Sequence, residues 1–162
     1  MEPSFDLDAG ALERSYREIQ SQVHPDRFAH AGDAERRASL QWTTRVNEAF
    51  QILKNPVARA KHLLELHGVD VAFETNTAMP AEFLMQQMEL REALEEATEK
   101  KNSRSLDRLR SDLRREEAAL EKQIADAIDG RKDYQGAAGL VRKLMFLARL
   151  DEEIDLAYEA VE

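Results

Sequence analysis

His24 and Asp26, separated only by Pro25, are the pair in this chain best suited to chemistry. A histidine beside a carboxylate can move a proton, but that work needs a nucleophile or a substrate pocket next to it. No motif in the sequence supplies either. The tripeptide also reads as turn chemistry. Pro25 has no backbone N–H and disfavours the α region for His24, so a helix running up to it should stop at Val23 or His24. Both side chains are then presented on a connection between helices, where binding residues concentrate. Arg14, Arg17 and Arg27 lie around it. In an acidic chain such a group can steer an acidic partner; with Glu13 and Glu18 nearby it also reads as a solvated helix face.

A second set of residues is suited to association rather than catalysis. On a helical wheel at about 100° per residue, the segment after Pro80 has Phe83, Leu90, Leu94 and Ala97 inward, with Gln87 the polar exception. Leu84, Met85, Met88, Glu89, Glu92 and Glu96 then share one face away from that core. Methionine suits surfaces that adapt to a partner, and large apolar residues with an acidic border read as a docking patch. The alternative is that Leu84 and Met85 pack under a neighbouring segment. Near the C-terminus, Phe146 points away from the Leu140, Leu144 and Leu147 stripe and is expected to be exposed beside this patch.

Metal and redox chemistry find little support. His62 and His67 are five residues apart, a poor spacing for two ligands on one helix face, and read as surface or partly buried imidazoles. There is no cysteine, hence no disulfide and no thiolate site. No cofactor is expected.

The elements that position these residues follow from apolar periodicity. Leu12, Tyr16, Ile19 and Val23 form one stripe, with Asp8 as a cap shortly before it. After the Gly32-Asp33 turn, Trp42, Thr43, Val46, Ala49, Phe50 and Leu53 form a second. Antiparallel packing of the two predicts a helical hairpin with His-Pro-Asp at its tip and Asn47 bordering its core. Pro56 opens a flanking helix carrying Ala60, Leu63, Leu64 and His67, which Gly68 ends. Residues 69–79 have no helical period and read as a linker. Beyond it, helices are expected from Pro80, from a Ser103 cap (Leu106, Leu113, Leu120, Ile124 and Ile128 inward) to Asp129-Gly130, and from about Tyr134 (Leu140, Leu144, Leu147 and Ile154 inward). Short connections imply antiparallel neighbours and a three-helix bundle. The expected class is all-α, with a first domain over 1–68, a linker over 69–79 and a second domain over 80–162.

The chain has 162 residues, with 43% hydrophobic and 34% charged, and a net charge of -9. That size allows one ordinary domain or two small ones. The acidic balance argues against nucleic-acid binding. Met1 to Ala11 has no apolar signal core, and no run approaches the ~20 apolar residues that span a bilayer. A soluble cytoplasmic protein with no membrane partner is the expectation.

Three stretches together resemble the HscB family, the J-type co-chaperones of iron–sulfur cluster assembly. They are His24-Pro25-Asp26-Arg27-Phe28 in its hairpin, Arg59-Ala60 through Leu63-Leu64-Glu65-Leu66-His67-Gly68 after Pro56, and Phe83-Leu84-Met85-Gln86-Gln87-Met88-Glu89-Leu90-Arg91-Glu92. Val141 through Leu147 supports the third. The resemblance implies that residues 1–68 are a J-domain, that the C-terminal bundle binds a scaffold, and that the protein is not an enzyme. It implies that His24, Pro25 and Asp26 contact a DnaK-type chaperone, HscA, and stimulate its ATPase, with Arg14, Arg17 and Arg27 as the basic surface. Asn47 would brace the hairpin. It also implies that Leu84, Met85, Met88, Glu89, Glu92, Glu96 and Phe146 bind the iron–sulfur scaffold IscU; the alternative is a J-domain adaptor with a different client. Two departures stand out. Met1-Glu2-Pro3-Ser4-Phe5 replaces the aromatic and leucine segment that the family carries before its first long helix. Met145 stands where a basic residue is common, which removes a salt contact worth ~0–1 kcal/mol.

Overall fold

A computed structural model describes residues 2–71 and 79–162. The linker expected over 69–79 therefore lies largely outside the described residues. The described chain is helical, without strands: α1 Ala9–Val23, α2 Asp33–Lys54, α3 Pro56–Leu66, α4 Ala81–Glu99, α5 Ser103–Ala125 and α6 Tyr134–Val161. It falls into two compact units, Met1–Leu63 and Leu64–Glu162.

In the first unit α1 and α2 form the expected hairpin. Asp8 caps α1 by accepting from Ala11 N–H at 3.1 Å. The Tyr16 ring stacks on Phe50 at 4.1 Å, and its hydroxyl donates to Asn47 Oδ1 at 2.6 Å. Asn47 thus ties the two helices together across the seam. Asn55 Oδ1 accepts from Ala58 N–H at 3.1 Å, capping the helix that Pro56 begins. Phe5 is only 2% exposed, with the Arg59 guanidinium 4.7 Å from its ring centroid. Phe5 therefore supplies a buried aromatic to this unit.

No stripe residue of the hairpin is fully buried, and three are open to solvent. Ile19 is exposed, as are Trp42 and Ala49. Two helices in contact bury a narrow seam, and residues on the flank of a stripe stay in solvent. Trp42 is covered on one side by Arg45, 5.9 Å from its ring.

In the second unit α4, α5 and α6 surround a core of Phe83, Leu94, Leu106, Leu113, Phe146, Leu147, Leu150 and Ile154 with smaller neighbours. Asn102, not Ser103, caps α5: its side chain accepts from Ser105 N–H at 3.2 Å. Both residues are good caps, and the helix starts one position after the stronger one. α5 ends in a π turn over Asp126–Gly130, and Asp133 caps α6. Gly68, at φ +72, closes α3, and Val69 N–H reaches back to Leu64 O at 2.9 Å.

Phe146 departs from expectation. It is 5% exposed and meets Phe83 edge-on at 5.8 Å. α6 touches both α4 and α5, so its buried face is far wider than one stripe. Val141, Leu144, Phe146, Leu147 and Leu150 are all inside. A wheel centred on Leu140, Leu144 and Leu147 places the Phe146 position outside because it allows for one neighbour only.

Candidate interaction surfaces

The first surface is the hairpin tip. Helix C-termini leave carbonyls without intrahelical partners. Here Val23 O accepts from Ser39 Oγ at 2.5 Å and from Thr43 Oγ1 at 3.2 Å. Two hydroxyls of α2 thus anchor the residue before His24, and Ser39 is buried. The sequence reading passed over Ser39, because a serine inside a helix has no signal until the facing carbonyl is known. Pro25–Phe28 then forms a single 3₁₀ turn, with Arg27 N–H donating to His24 O at 3.0 Å.

Within the turn His24 Nδ1 accepts from Asp26 N–H at 3.2 Å. The same nitrogen lies 3.6 Å from the Asp26 carboxylate, beyond hydrogen-bond range. The imidazole therefore shapes the turn, while the Asp26 side chain stays 94% exposed. This geometry leaves the carboxylate open to solvent and not hydrogen-bonded to the imidazole. Arg14, Arg17 and Arg27 are exposed. Arg17 is held by Glu13 at 2.5 Å.

The second surface is the outer face of α4. Pro80 precedes its first turn, and Phe83, Leu94 and Ala97 commit one side to the core. That fixes the opposite side outward. Leu84, Met85 and Met88 are exposed by 44%, 63% and 63%. Glu89, Glu92 and Glu96 are exposed on the same face. Lys100 hydrogen-bonds Glu96 at 2.5 Å and lowers its carboxyl pKa. Phe146 lies behind this face, not on it. The Arg91 guanidinium sits 5.3 Å from its ring centroid, and Arg91 Nη1 reaches the Glu153 carboxylate at 2.9 and 3.2 Å. Met145 is half-buried. The sequence reading did not single out Arg91 as a site residue; its spacing of seven from Leu84 and three from Met88 was the available signal.

Among the described residues no group of three or more His, Cys, Asp or Glu is placed to hold a metal ion. No described helix is long and apolar enough to cross a membrane.

A two-helix hairpin with His-Pro-Asp at its tip, in a chain that also carries a helical bundle, defines the class of J-type co-chaperones. A family model described as the HscB C-terminal oligomerisation domain matches residues 79–155. The co-chaperone protein HscB homolog of Azoarcus sp. is 51% identical over 158 residues, covering 98% of this chain and 89% of the relative. Chaperone HscB from Vibrio cholerae superposes with a TM-score of 0.86 at 31% identity, covering 100% of this chain and 95% of the other. The crystal structure of human co-chaperone protein HscB gives a TM-score of 0.89 at 28% identity, over 96% and 77%. This chain belongs to the HscB co-chaperone family, and its all-helical fold is that of an N-terminal J-domain and a C-terminal helical domain.

Proposed function

We propose that this chain delivers the iron–sulfur scaffold protein IscU to HscA, a DnaK-type chaperone, and stimulates the ATPase of that chaperone. Residues 1–68 act as the J-domain. His24 and Pro25 hold the turn, Asp26 presents its carboxylate to the chaperone, and Arg14, Arg17 and Arg27 form the basic contact surface. Residues 80–162 bind the scaffold. Leu84, Met85 and Met88 make the apolar contact and Glu89, Glu92 and Glu96 its acidic border. Phe146 contributes by backing this face, from beneath Arg91. Carrying both surfaces on one chain raises the local concentration of client at the chaperone. Hydrolysis takes place in the chaperone, so this protein is not an enzyme. Action in the cytoplasm belongs to the same reading.

The observation that carries the proposal is the exposure of Leu84, Met85 and Met88 along one helix face in a chain whose Asp26 is offered to solvent at a separate tip. The test is calorimetric titration of purified IscU. Substitution of Leu84, Met85 and Met88 by Ala together should weaken binding at least about tenfold, and Asp26→Asn should leave it unchanged. Equal binding by the unaltered chain and the triple variant would place the scaffold elsewhere.

A further inference from the structure

We infer that Arg91 is a specificity-determining residue of the α4 surface, a preset cation that receives a carboxylate of the bound scaffold. The inference rests on the scaffold-binding reading and names a contact within it. Leu84, Met88 and Arg91 follow one line along α4, at spacings of four and three residues. Arg91 is therefore continuous with the apolar patch, whose other charged members, Glu89, Glu92 and Glu96, are all acidic. Its side chain is 51% exposed yet held at two points. The guanidinium lies over the Phe146 ring at 5.3 Å, and Nη1 alone engages Glu153. Nε and Nη2 have no partner among the described residues.

A guanidinium fixed in this way keeps one donor edge facing outward without having to be ordered at the moment of binding. Arginine's planar fork suits a carboxylate, and preorganisation lowers the cost of association. The surface then selects a client with an apolar centre, cations opposite the three glutamates, and one carboxylate opposite Arg91. A client with a lysine at that point would meet repulsion instead, so a cation set within an acidic face discriminates by sign.

The test is IscU titration against the unaltered chain, Arg91→Gln, Arg91→Lys and Glu153→Gln, with thermal melts of each. A charge-assisted hydrogen bond at a desolvated contact predicts that Arg91→Gln weakens binding about ten- to thirtyfold. It should also flatten the salt dependence of the dissociation constant. Arg91→Lys should fall between, since it keeps the charge without the fork. Glu153→Gln removes one of the two holds on the guanidinium but leaves the cation in place, so it should weaken binding by only about two- to fivefold, less than Arg91→Gln. Arg91→Gln binding within twofold of the unaltered chain overturns the inference. So does Glu153→Gln weakening binding as much as Arg91→Gln, because Arg91 would then act only by holding the helices together. Failure of the unaltered chain to bind IscU overturns the scaffold-binding reading itself, and the Arg91 contact with it.

Discussion

Replacing Phe146 by Ala should destabilise the C-terminal bundle severely while leaving the J-domain untouched. The ring is 5% exposed, sits in the core with Leu94, Leu147 and Leu150, and meets Phe83 edge-on. Truncating a buried phenylalanine costs about 3–5 kcal/mol, including the cavity left behind. About 0.5–1.5 kcal/mol of that belongs to the ring pair. Phe146→Leu restores most of the volume and should cost only about 1–1.5 kcal/mol. Small domains are stable by about 5–15 kcal/mol in total, so the Ala variant forfeits a large share. Two probes separate the units. Far-UV circular dichroism follows all the helices, whereas the single tryptophan, Trp42, lies on α2 of the first unit. With a urea slope of about 1.5 kcal/mol per molar, the dichroism midpoint of the bundle should fall by about 2 M or more. The Trp42 fluorescence transition should not move. A bundle midpoint within about 0.3 M of the unaltered protein would refute the reasoning, for it would mean that the ring is exposed.

Two further predictions concern the bundle. Lys101 holds φ +49 at the end of α4, a left-handed position where a side chain is strained and glycine is not. Lys101→Gly should raise stability by about 0.5–1 kcal/mol in thermal melts, after the extra entropy of unfolded glycine is counted. Glu117, half-buried on α5, has its carboxyl pushed up to about 7 by desolvation and by the Asp151 and Glu121 carboxylates, against a smaller opposing effect of Arg114. The folded carboxyl then keeps a proton that the unfolded one gives up near the ordinary value of 4.5. Stability contributed by this site is full below that value and is lost as pH rises toward 7. Glu117→Gln should flatten that part of the profile and raise stability at pH 8 by about 1 kcal/mol once solvent screening is allowed for, as read by urea titrations across pH.

The hairpin and the bundle were legible because each rests on a local signal. Pro25 stops a helix wherever it stands, and the apolar stripes of α1, α2, α4 and α5 repeat with the helical period. The outward set of Leu84, Met85 and Met88 followed from the Phe83 stripe, since α4 commits one side to the core. Phe146 did not follow, because the width of a buried face depends on how many helices touch it, and α6 touches two. Trp42 and Ile19 failed in the opposite sense: α1 and α2 meet along a seam narrower than their stripes. The Ser39 and Thr43 anchors on Val23 O and the Arg91 clamp on Glu153 join residues far apart in sequence. Nothing in the local pattern marks such pairs before the helices are brought together. The burial of Phe5 was hidden because a lone aromatic before α1 has no periodic signal.

Whether the Asp26 tip stimulates a chaperone and the α4 face brings it a client is decided by steady-state ATP hydrolysis by HscA, with this protein and IscU added singly and together. Stimulation by this protein, a further rise when IscU is present, and loss of both with Asp26→Asn are expected. Stimulation that survives Asp26→Asn, or that is indifferent to IscU, would contradict the proposed function.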